Sequence, residues 1–193
     1  MKPYIFVDLD ETLIHSYDIH EIPSVHAVEV DVQGQFFKTR LRPGAKDFLA
    51  QLREIGEVRM LTVATRDYAL KMNETFGLGF TAGDIWSREH LQGGYSIDLE
   101  PVEKVYLFDN LQLKQNRLKI NLLRGAAKNK TPSYIQVKEY IGTDHFPLDK
   151  EEIARLTKTL YESDGITKHA SKGALDNSQR GTDYSTRTTS NTE

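Results

Sequence analysis

Three apolar runs in the 193-residue chain stop abruptly at oxygen-bearing side chains. Tyr4-Ile-Phe-Val runs into Asp8-Leu-Asp10-Glu-Thr12, placing two acids one residue apart. Val58-Arg-Met-Leu runs into Thr62, and Val105-Tyr-Leu-Phe108 runs into Asp109-Asn110. In an open parallel sheet, ligands bind in the crevice beyond the carboxyl ends of the strands. Two carboxylates crowded there repel each other unless a cation or a shared proton intervenes. Mg²⁺, a hard ion that prefers oxygen, suits Asp8, Asp109 and Asn110. A carboxylate such as Asp8 can attack phosphorus and split one hard displacement into two easier ones. Asp10 is then placed to protonate the leaving oxygen and to activate water, with Thr62 hydrogen-bonding a phosphoryl oxygen. Turn chemistry alone often puts Asp at a strand end. It does not readily account for three such ends in one chain.

The elements needed to position these groups are legible in the hydrophobic pattern. Short runs rich in β-branched and aromatic residues read as buried strands over 4–7, 57–63 and 105–108, with another over 134–137 and a weak one over 80–86. Val25 to Val32 alternates apolar and polar, and Gln35 to Leu41 follows across Gly34, which predicts a β-hairpin over 25–41 overhanging the acidic pair. The segment from His15 to Ser24 has no period. Arg42-Pro43-Gly44 opens a helix whose buried stripe is Ala45, Phe48, Leu49 and Leu52, with Gly56 at its end. Ala69, Met72, Asn73 and Phe76 mark a second helix. Asp149 and Glu152 have capping-box spacing ahead of a last one, striped by Ile153, Leu156 and Leu160. Strands alternating with helices predict an α/β fold, a Rossmann-like, mainly parallel sheet flanked by helices. Residues 1–162 form that domain. The polar remainder, 163–193, has only Ile166, Leu175 and Tyr184 as larger apolar groups and predicts a disordered tail.

Composition narrows the function classes. Hydrophobic content of 38% with 27% charge is globular, and a net charge of −3 gives no general pull towards nucleic acid or membrane. Without a single Cys there is no disulfide framework, thiolate zinc site or Cys nucleophile. No apolar run is long enough to span a bilayer, and Asp8 interrupts the first one, which argues against a secretion signal. The expectation is a non-secreted monomer, cytoplasmic, or nuclear in a eukaryote.

The signature Asp8-Leu-Asp10-Glu-Thr12-Leu, with Thr62 and Phe108-Asp109-Asn110, resembles the haloacid dehalogenase superfamily of phosphohydrolases. Within it the chain is similar to the phosphatases of the RNA polymerase II C-terminal domain, including the small ones. His15 after the signature, the hairpin, Arg42-Pro43-Gly44 and the pair Tyr68-Ala69 after Thr62 all match. The likeness holds over residues 2–111 and weakens through 112–161. It implies a Mg²⁺-dependent phosphatase with Asp8 as nucleophile and metal ligand. It implies Asp10 as acid/base and, through its backbone carbonyl, as metal ligand, with Thr62 on phosphate and Asp109 and Asn110 completing the metal side. Arg88 in Ser87-Arg88-Glu89 matches a substrate-contacting Arg, although a surface ion pair with Glu89 or Asp84 would also explain it. A hairpin with no large cap domain leaves the site open, which favours a phosphoprotein substrate over a nucleic-acid end or a small phosphate ester.

One departure stands out. The family places a Lys in the loop after that Arg, and the loop from Gly93 to Leu99 contains none. Lys114 and Arg66 are the candidate replacements, and with Thr12 and Arg88 they make up the expected substrate-binding residues. The six basic residues between Lys114 and Lys130, uninterrupted by an acid, read first as a solvated helix face and second as an attractor of anionic substrate. If no cation faces Asp8, the chain is a phosphate-binding module that kept the fold and lost turnover.

Overall fold

The structure is a computed structural model that describes residues 1–18, 20–23, 26–93 and 99–164. Its centre is a parallel sheet in the order β6-β5-β1-β7-β8, built from β1 (Tyr4–Val7), β5 (Glu57–Leu61), β6 (Ile85–Trp86), β7 (Val105–Asp109) and β8 (Ser133–Gln136). β1 lies between β5 and β7, with Tyr4 opposite both Glu57 and Val105. That register lines up the three strand ends bearing Asp8, Thr62 and Asp109.

The sheet is buried on both faces, which is why its strands read as continuous apolar runs. Alternation divides them between two cores. Ile5, Val7, Val58, Met60, Tyr106 and Phe108 join one cluster, which also takes in the apolar stripes of α1 (Ala45–Ile55), α2 (Arg66–Phe76) and α5 (Lys150–Asp164). Tyr4, Phe6, Leu61, Val105 and Leu107 face the other way, towards Leu123 on α4 (Arg117–Leu123). By the same alternation Asp8 follows Phe6, and Asp109 follows Leu107, onto the α4 face. Full burial of each Leu, Ile or Phe stabilises by about 1.5–3 kcal/mol, so both faces hold the sheet edge in place.

The predicted hairpin is β3 (Val28–Val32) and β4 (Gln35–Leu41), turning at Gln33-Gly34, and a third strand joins it. β2 (Ile14–Tyr17) pairs antiparallel with β4, giving the sheet β2-β4-β3. The segment 15–24 had shown no period because β2 is four residues long and buried at only one end. The weak strand signal over 80–86 resolves into a 3₁₀ turn, Ala82–Asp84, ahead of β6; α3 (Arg88–Leu91) follows.

Two residues of Arg42-Pro43-Gly44 explain that motif. Gly44 has φ 82°, and a Cβ there would lie 1.8 Å from the carbonyl oxygen of Leu148, so only glycine fits. The Arg42 guanidinium, 1% exposed, donates to the carbonyls of Phe146, Thr12 and Lys138 at 2.8, 3.1 and 2.9 Å. Burial brings its pKa down to about 10. It ties the acidic signature to the segments that follow β8. α5 runs to Asp164, past the expected domain end at 162, and the predicted tail lies outside the described residues from 165 onward. Among the described residues no helix is long and apolar enough to cross a membrane.

Candidate active site

Asp8 stands one residue beyond β1, 4% exposed, with its N–H donating to Phe108 at 2.9 Å. The chain then folds back on itself. The Leu9 carbonyl accepts from Leu13 and Ile14 at 2.8 and 3.1 Å, and Glu11 sits at φ 60°, a region few non-glycine residues adopt. The Glu11 carboxylate is held by His15 Nδ1 at 2.6 Å. This reversal separates the two acids. Asp8 stays on the α4 face of the sheet edge, whereas Asp10 turns towards α2 and the antiparallel insert.

Lys119 faces Asp8. Its Nζ donates to Asp8 Oδ1 at 2.7 Å and to Asp109 Oδ2 at 2.6 Å, and the residue is 1% exposed. Burial disfavours the ammonium, but Asp8 and Asp109 outweigh it and hold the Lys119 pKa above its ordinary value. Burial raises the Asp8 carboxyl to about 7, against the pull of Lys119 and with the help of Asp109. Two buried carboxylates are tolerable here because one ammonium lies between them. The other Asp109 oxygen, Oδ1, accepts from the Leu111 N–H at 2.9 Å.

Asp10 meets only neutral donors. Tyr68 Oη donates to its Oδ1 at 2.8 Å, and Thr62 Oγ1 reaches Oδ2 at 3.5 Å. Burial raises its pKa, with Tyr68 the strongest opposing influence. Thr62, fully buried after β5, accepts from the Ala64 N–H at 3.1 Å. Thr12 is also fully buried, and its Oγ1 donates to Asn110 Oδ1 at 3.4 Å, so it holds Asn110 against the signature.

The expected replacement cations lie elsewhere. Arg66 donates to the carbonyls of Ile85 and Ala82 at 3.0 and 2.9 Å, which fastens α2 to the 3₁₀ turn. Lys114 is exposed in the loop after β7. Among the described residues Arg88 makes no ion pair with Glu89 or Asp84, the alternative to a substrate contact; its Nε donates to the Val63 carbonyl at 2.9 Å, beside Thr62. Glu89 accepts instead from Ser87, and Asp84 from Arg59. The basic stretch is therefore not wholly a solvated face. Asn116, Lys119, Ile120 and Leu123 follow i, i+3, i+4, i+7, the spacing of a buried stripe. A lysine at a stripe position was the available signal, and the surrounding run of exposed bases masked it.

The sequence matches the NLI interacting factor-like phosphatase model over residues 3–164. The chain belongs to that family. It is a branch of the haloacid dehalogenase superfamily, so the resemblance read from the signature holds. No curated protein sequence matches the chain. Among solved structures, it superposes on Fcp1, an essential RNA polymerase II CTD phosphatase, with a TM-score of 0.47 and 15% identity, covering 82% of this chain and 49% of that one. A fission-yeast Fcp1 variant bound to beryllium fluoride gives 0.42 and 16%, covering 82% and 50%. The chain thus spans about half the length of those two proteins.

The residues fit a magnesium ion. Among the described residues no cluster of three or more His, Cys, Asp or Glu could hold a metal. The donors present are instead mixed oxygens: Asp8 Oδ2, which the Lys119 bond does not use, the Asp10 carbonyl and the Asn110 amide. Mg²⁺ is commonly held by one or two carboxylates, with waters and substrate phosphate completing its shell. Asp109 anchors Lys119 and keeps an acceptor site on each oxygen, so it remains available to the ligand set expected from the sequence.

Proposed function

We propose that this chain is a Mg²⁺-dependent phosphatase that hydrolyses phosphate monoesters through an aspartyl-phosphate at Asp8. The observation that carries the reading is the buried cation shared by Asp8 and Asp109. It supplies a positive charge beside Asp8 that the loop 93–99 lacks in sequence, which supports turnover over a non-catalytic phosphate-binding module. Asp8, kept anionic by Lys119 during attack, forms the bond to phosphorus while the leaving oxygen takes the bonding pair and a proton from Asp10. Water then attacks phosphorus, gives its proton to Asp10, and returns the carboxylate of Asp8. Thr62 and Lys119 bind phosphoryl oxygens as charge shifts onto them. Asp8, the Asp10 carbonyl, Asp109 and Asn110 would hold Mg²⁺, which when bound neutralises phosphoryl charge.

The substrate is a phosphoprotein. A cavity of about 710 Å³ opens beside Asn110, lined by Gln112, Gln115, Gln136, Lys138 and Arg155. Its open shape and mixed lining, which includes Leu111 and Val137, suit a chain flanking the phosphorylated side chain better than an enclosed metabolite. A phosphorylated nucleic-acid end is the competing substrate. Release of phosphate from para-nitrophenyl phosphate, with and without Mg²⁺ and beside Asp8→Asn, tests the reaction. Equal rates for the wild type and Asp8→Asn would sink it. Phosphopeptides compared with phosphorylated oligonucleotides test the substrate class.

A further inference from the structure

Asp10 is held from one side by a row of hydroxyls that the reaction as written above does not use. Tyr68, on the first turn of α2 and 8% exposed, donates to Asp10 Oδ1 at 2.8 Å. Its oxygen lies 2.7 Å from Ser16 Oγ, which lies 2.7 Å from Thr39 Oγ1. Ser16 on β2 and Thr39 on β4 are register partners in the antiparallel insert, and Thr39 is fully buried. The Tyr68 ring is fixed from the same sheet by Phe37, edge-on at 5.1 Å.

The direction of the row follows from proton counting. A carboxylate only accepts, and each hydroxyl has one proton to give. Tyr68 therefore donates to Asp10, Ser16 to Tyr68, and Thr39 to Ser16. Oδ2 has a different environment. Thr62 reaches it only at 3.5 Å, the outer limit of a hydrogen bond.

Resting on the phosphatase reading, we propose that Tyr68 is the positioning residue of the proton shuttle. It anchors Asp10 by Oδ1 so that Oδ2 faces the reacting oxygen, and Ser16 and Thr39 tie that orientation to the insert. Oδ2–H gives its proton to the leaving oxygen as the P–O bond breaks, and the bonding pair stays on that oxygen. Oδ2 then takes a proton from the attacking water as the bond from phosphorus to Asp8 breaks and its pair returns to the carboxylate. Oδ1 keeps the Tyr68 hydrogen bond throughout.

A misoriented proton donor matters in proportion to the basicity of the leaving oxygen. A general loss of structure slows all substrates alike. Tyr68→Phe is therefore compared with wild type by kcat/KM on para-nitrophenyl phosphate, phenyl phosphate and β-glycerophosphate. The expected loss grows in that order, from less than about threefold to about 30-fold or more, within the range of general acid catalysis. Ser16→Ala keeps Tyr68 and cuts its tether, so it should show the same ordering with losses of about three- to fivefold on the alkyl ester, for one neutral hydrogen bond. If Tyr68→Phe does not fold, Ser16→Ala carries the test. Equal losses on all three substrates, or no loss on any, overturn the proposal while leaving the phosphatase reading intact. A wild type inactive on all three overturns both.

Discussion

Asp8 and Asp10 leave the same strand one residue apart, and they meet opposite surroundings. Asp8 faces an ammonium and a second carboxylate on the α4 side of the sheet, where the covering residues belong to the apolar core. Asp10 faces a phenol and a threonine hydroxyl on the side of α2 and the insert, and its direct hydrogen-bond donors are neutral. A carboxylate beside a fixed cation is suited to stay ionised and attack. One among neutral donors can gain and lose a proton without breaking an ion pair. In the proposed reaction the two halves of the site divide the work between identical side chains, and the difference lies in what the neighbouring helices bring to them.

Removing the charged half should have the largest consequences. Asp8→Asn should lower phosphate release by at least about 10³-fold, since the nucleophile is gone. Its thermal midpoint should stay close to wild type, because Asp109 remains on Lys119; a large fall would assign Asp8 a structural role. Lys119→Met should cost about 3–5 kcal/mol in a urea titration, the cost of leaving buried charge uncompensated. It should also cost about 10²–10³ in turnover, as for loss of one electrostatic clamp. A stable, active Lys119→Met would erase the contrast between the two halves.

Proton competition gives a smaller effect with a definite sign. The Asp8 pKa is raised, from 3.8 to about 7, chiefly by burial. For a raised carboxyl, the protonated form is favoured in the folded state. Its contribution to stability is full below pH 3.8 and is lost as pH rises through about 7. Mg²⁺ must displace that proton, so its apparent affinity should weaken about fivefold from pH 7 to pH 6, as measured by calorimetry. Affinity independent of pH would mean that Asp8 is already ionised in the folded protein.

The smallest effects belong to the cations outside both halves. Lys114→Ala should change turnover by less than about threefold, as for an exposed charge. Arg66→Ala should do the same while lowering stability by about 1–3 kcal/mol, because two carbonyls lose their donor. A tenfold loss of turnover in either would place a second cation at the phosphate.

The sequence by itself determined the frame and most of the candidate groups at the sheet edge. Short β-branched runs ending in Asp8, Thr62 and Asp109 show in any reading of local pattern, because strand chemistry and its interruption lie within a few consecutive residues. The stripes of α1, α2 and α5 are legible for the same reason. What only the tertiary structure decided is which groups face one another. Lys119 is ten residues beyond Asp109 in a run of bases, and nothing local distinguishes it from exposed Arg117 or Lys114 until α4 is laid on the sheet face that Phe6 and Leu107 share. The Tyr68, Ser16 and Thr39 hydroxyls come from three elements and converge only because β2 joins the hairpin and α2 packs beneath it. Hydrophobic periodicity places a residue on a face. The identity of its partner across that face depends on register and helix docking, which long-range packing decides.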